Sequence, residues 1–377
     1  MSSPQLWSVR MADTMIARHT PEQIHWHYDY GLLLMAIQHV GRATGEPRYW
    51  EHVKGIVEQL IGPDGAIRGY RLDECNLDQI NPGRVLFPLL HATGDERYQR
   101  AIEQLRRQIA THPRTESGGF WHKQIYPYQI WLDGVYMAGP FYAEYAQTFD
   151  DPAGFDDLAH EIILTERQTR DPRTGLLYHA WDERKQQRWA DPITGCSPHF
   201  WGRAIGWYAM AIVDVLDYFP LEHPQRPELL AIFARLADAV AKVQDPATGL
   251  WWQILDHPGR PGNYREASAS AMFSYAIAKA VRKGYLPPDW LPVARAGYDG
   301  LLRELVSVDA EGQVTLDGIC AVAGLGGNPY RDGSYEYYIG EPIKPNDYKG
   351  VGPFILAALE FERDQLPGHG AEGRRAE

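Results

Sequence analysis

The sequence has little cysteine. Its three cysteines, Cys75, Cys196 and Cys320, lie far apart and form no CxxC pair. An odd and sparse set argues against a zinc site or a disulfide framework and is typical of a reducing compartment. Apolar runs of membrane-spanning length are missing, and the N-terminus lacks the continuous apolar core of a signal peptide. We therefore expect a cytoplasmic protein that does not enter a membrane.

Positive charge is also in deficit. The chain has 37 Lys and Arg against 49 Asp and Glu, a net charge of −12. This balance argues against nucleic acid or an anionic membrane as a partner, and an anionic small molecule would need local cations in a pocket. The motifs HExxH, GxSxG and GxGxxG have no convincing context, and NDYKGVGPF lacks the spacing of a phosphate-binding loop. We expect no cofactor and no metal.

Repetition is what the sequence does have. ATGEPRYW at 43–50 returns as ATGDERYQ at 92–99, and each copy leads into an amphipathic helix. Five glycine turns recur along the chain, at Gly65, Gly119, Gly175, Gly249 and Gly312. Between the turns lie helices that are apolar on most sides, such as DGVYMAGPFYAEYAQTF and SPHFWGRAIGWYAMAIVDVLDYF. For the second of these the spacing predicts Ser197 as N-cap and Pro198 as the first helical residue.

Amphipathic helices that alternate with apolar helices five or six times predict an all-α protein, a closed ring of helical hairpins. The amphipathic helices form its outer ring and the apolar helices its inner ring. An open solenoid would need polar caps at its ends, whereas a closed ring needs none. We expect one catalytic domain over 1–366, a disordered tail over 367–377, and short strands or aromatic turns at one end of the inner ring. We call that end the mouth.

Aromatic and polar residues gather in the turns and helix starts that should face the mouth. Aromatic faces with a few convergent polar groups suit sugar rings, although many of these aromatics could equally be core residues. Asp133, in QIWLDGVY, is prominent because a carboxylate among apolar residues is costly unless it is paired, hydrogen-bonded or protonated. The plain alternative is that Asp133 caps a helix.

Several stretches resemble glycoside hydrolase family 105, the unsaturated rhamnogalacturonyl hydrolases. They are WLDGVYMAGPFYAEY, GLLYHAWDE, GCSPHFWGRAIGWYAMAIVDVL, REASASAMFSYAIAKAV and YEYYIGEPIKPNDYKGVGPF. The resemblance covers most of the chain and implies an (α/α)6 barrel, an architecture shared by the related family 88 of unsaturated glucuronyl hydrolases. It implies an enzyme that hydrates the C4=C5 vinyl ether of an unsaturated uronate at the non-reducing end of pectin fragments. The hydrated ring then opens and releases the next sugar.

The resemblance also implies roles for individual residues. Asp133 is the acid, and Asp78 is the second carboxylate, expected to lie nearby; Asp73 and Glu74 compete with Asp78 for that role. Because the acid must still hold its proton near neutral pH, we expect burial and the second carboxylate to raise the pKa of Asp133. The residues expected to bind the sugar are Tyr30, His122, Lys123, Trp131, Met137, His179, Trp201, Arg203 and Trp207. Arg203 or Lys123 would bind the uronate carboxylate.

Other functions stay open at this stage. The sugar released could be unsaturated glucuronate from another polysaccharide. A sugar epimerase or isomerase with His122 and His179 as its acid–base pair, or an oligosaccharide-binding toroid without activity, would also fit the residues. In each case the partner is an oligosaccharide, anionic under the hydrolase hypothesis. We expect a monomer or a weak homodimer.

Overall fold

Helices in two concentric layers make up the fold. The structure is a computed structural model, which describes residues 6–367. The inner layer consists of α2 (Tyr28–Thr44), α4 (Leu86–Thr93), α6 (Leu132–Thr148), α8 (Gly202–Val215), α10 (Ala267–Arg282) and α13 (Tyr348–Glu362). The outer layer consists of α1 (Trp7–Ala17), α3 (Pro47–Leu60), α5 (Glu96–Thr111), α7 (Pro152–Thr169), α9 (Arg226–Ala241) and α11 (Leu291–Glu304). The short helix α12 (Tyr335–Gly340) belongs to neither layer and precedes α13 in the chain.

The inner helices close into a ring. Each packs against the next in chain order, with the 3-10 helix Asn81–Val85 joining α4 to its neighbours, and α13 returns to pack on α2. Each outer helix follows the inner helix it covers, except that α1 from the N-terminus covers α13. Ser8 and Trp7 of α1 donate backbone hydrogen bonds to the carboxylate of Glu362 at 3.1 and 2.6 Å. The predicted (α/α)6 barrel is therefore confirmed.

The two layers differ in burial as the periodicity predicts. All of α8 is buried, whereas α5 buries one stripe that includes Tyr98, Ile102, Leu105 and Ile109. Inner helices approach one another closely at glycines. A methyl group on Gly206 of α8 would lie 2.9 Å from Cβ of Met272 on α10, so a larger residue would push the helices apart.

Two local predictions are wrong. Ser197 is not the N-cap of α8, which begins at Gly202 after Trp201. The backbone N–H of Ser197 instead donates to the carbonyl of Ala180 at 3.0 Å, and its hydroxyl oxygen accepts from the backbone N–H of Ala180 at 3.2 Å. Residues 197–201, which precede the helix, form strand-like backbone hydrogen bonds with other segments near the mouth. In ESGGFW the left-handed residue is Gly118, with φ of 94°, and not Gly119. Gly119 instead makes room for the side chain of Ile130.

Short strands lie where the mouth was predicted. β1 (Gln129–Trp131) pairs antiparallel with β2 (Ala180–Asp182), with Ile130 opposite Trp181. A second pair, β3 (Val306–Val308) and β4 (Val314–Leu316), joins α11 to the following loops. Among residues 6–367, no helix is both long and apolar enough to cross a bilayer. The predicted tail lies outside the described residues from 368 onward, and the single-domain assignment stays a prediction.

Candidate active site

Asp133 lies in the first turn of α6, directly after strand β1. The N-cap of α6 is Trp131, and no side chain caps the helix, so the alternative role of Asp133 as a cap is wrong. Its side chain is 13% exposed, and its Oδ2 lies 3.1 Å from Nε2 of His179. The two atoms are not aligned for a hydrogen bond, and neither has another hydrogen-bond partner. A carboxylate that is nearly buried and has an unused oxygen is available for proton transfer.

Tyr338, Trp131 and Trp201 hold the side chain of His179 in place. It is fully buried, and its Nδ1 lies 2.7 Å from the hydroxyl of Tyr338 in α12. If Tyr338 donates to Nδ1, the ring proton is on Nε2 and faces Asp133. The rings of Trp131 and Trp201 pack against His179 with centroids 5.3 and 4.8 Å away. The imidazole therefore has one orientation, in which Nε2 lies beside the carboxylate of Asp133.

Asp78 is buried and ion-paired. It lies in the 3-10 helix Leu77–Gln79, and its Oδ2 is 2.5 Å from Nζ of Lys123. Burial would raise the pKa of Asp78, but Lys123 and then His122 outweigh it and hold the pKa below its ordinary value. Asp78 is therefore a carboxylate at neutral pH. Lys123 offsets much of the negative charge with which Asp78 was expected to act on Asp133.

His122 interacts electrostatically with both carboxylates, Asp78 and Asp133. Burial lowers its pKa to about 4, although Asp78 and Asp133 both oppose this shift. The ring is therefore neutral at neutral pH. It stacks on Trp131 at 4.6 Å, and its Nδ1 is buried without a hydrogen-bond partner. A neutral ring with an unused nitrogen can donate or accept one hydrogen bond from a bound sugar hydroxyl.

Arg203 is fully buried on α8 and has one free end. Its Nη1 donates to the carbonyl of Cys320 at 2.5 Å and to Oγ of Ser268 at 3.4 Å. Its Nη2 is buried with no hydrogen-bond partner among the described residues. Burial would lower the pKa of Arg203, yet Cys320 and Glu266 keep it above its ordinary value. The charged Nη2 is therefore available to an anionic ligand.

The contacts of the other predicted sugar-binding residues are mainly with protein side chains. Trp201 donates from Nε1 to Gln253 at 3.0 Å. Trp207 is buried, stacks on Tyr136 at 4.9 Å and meets the edge of Tyr28 at 6.1 Å. Met137 is buried in the core.

Tyr30 belongs to a different aromatic group. Its hydroxyl is 3.0 Å from Nδ1 of His19, and its ring packs near His25 and Tyr348. The competitors of Asp78 also point elsewhere. Asp73 is largely exposed and pairs with Arg71, and so does Glu74.

Sequence reasoning missed three residues near these groups. Tyr28, partly buried, is close enough to Asp78, Arg203 and Asp133 for their charges to affect its pKa, which burial raises well above its ordinary value. Tyr338 orients His179. Lys349, in NDYKGVGPF, is buried, and burial together with Arg203 lowers its pKa. Their signal was weak because Tyr28 and Tyr338 stand in runs of aromatic residues, HWHYDY and YEYY.

Two groups of residues have the spacing of metal ligands. His25, His27 and Asp29 hold three ligand atoms within 4.8 Å of one another, as do His199, Asp256 and His257. In the first group Asp29 lies 2.8 Å from His27 and 3.3 Å from His25. These contacts are those of a histidine–carboxylate ion pair, which needs no metal. Neither group includes Asp133, Asp78 or His179.

Comparison with known proteins places this chain in a family. The family model described as Glycosyl Hydrolase Family 88 matches residues 7–365. The structure of a family 105 glycoside hydrolase from C. acetobutylicum is 47% identical, with 95% of this chain and 99% of that chain covered and a TM-score of 0.93. Unsaturated rhamnogalacturonyl hydrolase YesR of Bacillus subtilis is 28% identical over 70% of this chain and 74% of its own length.

The fold extends to more distant relatives. An unsaturated glucuronyl hydrolase from Bacillus sp. GL1 is 16% identical, with 91% of this chain and 87% of that chain covered and a TM-score of 0.66. At this identity the likeness concerns the fold alone. The match over nearly the whole chain, together with the 47% identical structure, decides the assignment. The chain belongs to the group described as Glycosyl Hydrolase Family 88 and is a glycoside hydrolase of the family 105 type.

Proposed function

We propose that this hydrolase releases 4,5-unsaturated galacturonate from the non-reducing end of rhamnogalacturonan-derived oligosaccharides. The observation that carries the proposal is the unpartnered Oδ2 of Asp133, 3.1 Å from His179 in an aromatic mouth. YesR, named as an unsaturated rhamnogalacturonyl hydrolase, supports the substrate class. Membership of a hydrolase family leaves the epimerase and the inactive binding toroid without support.

The reaction requires one acid that later becomes a base. Asp133 donates its proton to C4 of the vinyl ether, and the ring oxygen stabilises the positive charge at C5. Water then adds to C5 and gives its proton to the Asp133 carboxylate. The resulting hemiketal opens, and the hemiacetal left at C1 releases the next sugar.

Charge complementarity supports Arg203 as the ligand of the uronate carboxylate. Lys123 is committed to Asp78 at 2.5 Å, whereas Nη2 of Arg203 has no partner among the described residues. A uronate carboxylate that accepts from Nη2 would satisfy this buried donor. Trp131, Trp201 and His122 would contact the faces and hydroxyls of the sugar. Asp78 would act beside Asp133 by accepting a hydrogen bond from a sugar hydroxyl or from the attacking water.

The choice between galacturonate and glucuronate cannot depend on the unsaturated ring itself. These two uronates differ at C4, and forming the C4=C5 double bond removes that stereocentre. An enzyme that discriminates between the parent polysaccharides must therefore recognise the glycosidic linkage or the sugars that follow. For this reason the unsaturated glucuronyl substrate remains the second candidate.

Loss of ultraviolet absorbance tests the proposal, because hydration destroys the enol-ether chromophore. We expect purified protein to bleach an unsaturated galacturonyl-rhamnose disaccharide faster than an unsaturated uronyl disaccharide whose second sugar is not rhamnose. Unchanged absorbance with both substrates would exclude the hydration reaction. The same assay with EDTA should give unaltered rates, since no step is assigned to a metal.

Cellular location and assembly are part of the same proposal. The small number of cysteines supports action in the cytoplasm on imported fragments. We propose a monomer or a weak homodimer. Sedimentation of the pure protein at several concentrations measures the assembly, and a stable larger oligomer would contradict it.

A further inference from the structure

Arg331 lies beside the mouth with an uncompensated charge. Its Nη2 donates to the hydroxyl of Tyr126 at 2.8 Å and to the carbonyl of Leu325 at 3.1 Å, and its Nε donates to Gly326 at 3.0 Å. Within residues 6–367, no carboxylate lies within ion-pair distance of Arg331. In a chain with a net charge of −12, a half-buried arginine held only by neutral oxygens is unusual.

Loop glycines hold this guanidinium in place. A methyl group on Gly324 would lie 2.3 Å from Nη1 of Arg331, so any other residue would displace the side chain. The backbones of Arg331 and Gly326 each donate one hydrogen bond to the other, so the segment 326–331 forms a tight turn. The loop around Arg331 is therefore shaped to present the guanidinium.

Aromatic rings connect Arg331 to the reacting groups. The ring of Tyr126 stacks on Trp131 at 4.8 Å, and Trp131 meets the edge of His179 at 5.3 Å. Arg331 thus stands two rings away from the contact between His179 and Asp133. It is also near Lys123, whose pKa burial lowers and Asp78 raises, with Arg331 opposing Asp78. Arg331 therefore flanks the site without belonging to the first sugar's contacts.

A second group of aromatics continues outward from Trp131. Trp131 packs in one cluster with Trp189 and Leu325, and Tyr126 and Tyr330 pack against that cluster. Nε1 of Trp189 is buried without a hydrogen-bond partner. Arg188, which is exposed, lies over the ring of Tyr330 at 4.3 Å. Aromatic faces with cations and an unused donor are the components of a binding site for an acidic sugar.

We infer that Arg331 and Tyr126 form a subsite for an acidic sugar located beyond the sugar that is released. This inference rests on the proposed function and deepens it. In a backbone of alternating rhamnose and galacturonate, the next carboxylate after the unsaturated end lies two sugars further on. Because the unsaturated ring has lost its distinguishing stereocentre, a carboxylate at this distance identifies the parent polysaccharide. Arg331 recognises it by a charge-assisted hydrogen bond.

Three substrates test the subsite. They are the unsaturated galacturonyl-rhamnose disaccharide, the tetrasaccharide with one further galacturonate and rhamnose, and that tetrasaccharide with the internal galacturonate as its methyl ester. We expect the wild-type kcat/KM to be about tenfold to a hundredfold higher for the acidic tetrasaccharide than for the disaccharide, which is the effect of one charge-assisted hydrogen bond. The methyl ester should behave like the disaccharide.

Variants locate the effect. Arg331→Gln should remove the advantage of the acidic tetrasaccharide. It should leave kcat/KM for the disaccharide within about twofold, because the disaccharide does not extend to Arg331. Arg184→Gln is the matched control, because Arg184 is exposed on the neighbouring loop and already pairs with Glu116 at 3.0 Å. It should change none of the three values. Equal kcat/KM of the wild type for acid and ester would overturn the subsite.

Binding separates this inference from the proposed reaction. Titration calorimetry with Asp133→Asn protein compares the acidic tetrasaccharide with its ester without turnover. Tighter binding of the acid, lost with Arg331→Gln, supports the subsite even if the wild type hydrates neither. Equal affinity for acid and ester overturns the subsite, whether or not the disaccharide is hydrated.

Discussion

At the scale of single residues, polar atoms that lack a hydrogen-bond partner indicate which side chains are available for chemistry. Asp133 was singled out because an aspartate in an apolar stretch needs an explanation. The structure rules out a capping role and leaves Oδ2 without a hydrogen bond, 3.1 Å from His179. Asp78 has the opposite character, because Lys123 pairs with it. Two buried carboxylates in one mouth therefore have different chemistry, and the difference lies in their partners.

Replacing the carboxyl group of Asp133 tests its role directly. We expect Asp133→Asn to lower kcat by at least about a hundredfold, because an amide cannot donate the proton. Unfolding in urea should be nearly unchanged, since Oδ2 makes no hydrogen bond to lose. Asp256→Asn, at an exposed position, is the control and should keep full activity. Retained turnover in Asp133→Asn would remove Asp133 from the mechanism.

The hydroxyl of Tyr338 should matter through His179. Tyr338→Phe removes the 2.7 Å contact with Nδ1, so the tautomer that faces Asp133 is no longer selected. We expect kcat to fall by roughly two- to tenfold, the effect of one net hydrogen bond, with little change in KM. Tyr285→Phe, which loses a hydroxyl contact to the Leu216 carbonyl instead, should have wild-type kinetics. A rise in KM with unchanged kcat would indicate a binding role for Tyr338.

At the scale of elements, periodicity predicted which helices are inner and outer but not where they begin. The apolar run before α8 suggested a start at Ser197, yet the helix begins at Gly202. Residues 197–201 pair with β2 and with the segment around Ile254 instead. Strand-like pairing of this kind depends on partners distant in sequence, which local propensity does not include. The same limit explains why the left-handed φ was predicted at Gly119 and is found at Gly118.

The end of α5 provides a pH-dependent element. Burial lowers the pKa of His112 to about 4, and its Nε2 contacts the carbonyl of Trp121 at 2.8 Å. The unfolded value is about 6.5, so unfolding takes up a proton between these values. The stabilisation is therefore complete above about pH 6.5 and is lost as the pH falls towards 4.

A variant isolates this contribution. We expect the free energy of unfolding of His112→Gln to fall less between pH 7 and pH 5 than that of the wild type, by about 2 kcal/mol. Urea unfolding at both pH values measures the difference. His160→Gln, at an exposed position, should follow the wild type. An identical pH response of the His112 variant and the wild type would show that this histidine titrates alike in both states.

At the scale of the whole molecule, buried charges hold the inner ring together. Asp214 of α8 lies 2.9 Å from Arg84 and 2.6 Å from Lys279 of α10, and Arg84 donates to the hydroxyl of Tyr136 of α6 at 2.9 Å. All of these side chains are buried. Burial would raise the pKa of Asp214, but Lys279 and Arg84 hold it well below its ordinary value. This network links inner segments that are far apart in the chain.

Removing one member should be costly. Arg84→Met leaves Asp214 with less positive charge in a buried site, so we expect a loss of about 3–5 kcal/mol in the free energy of unfolding. Arg48→Met breaks an exposed pair with Asp13 and should cost at most about 1 kcal/mol. Chemical denaturation of both variants provides the comparison. Similar small losses for both would mean that the network adds little to the stability of the ring.

The sequence by itself determined the architecture and the identity of the candidate acid. Alternating amphipathic and apolar helices required a layered fold, and Asp133 stood out against its apolar neighbours. Only the tertiary structure decided which groups are satisfied and which are free. The contact between His179 and Tyr338 spans 159 residues, and the free Nη2 of Arg203 depends on Ser268 at the start of α10 and on the loop at Cys320. Local periodicity follows from nearest neighbours along the chain, whereas charge compensation depends on neighbours in space.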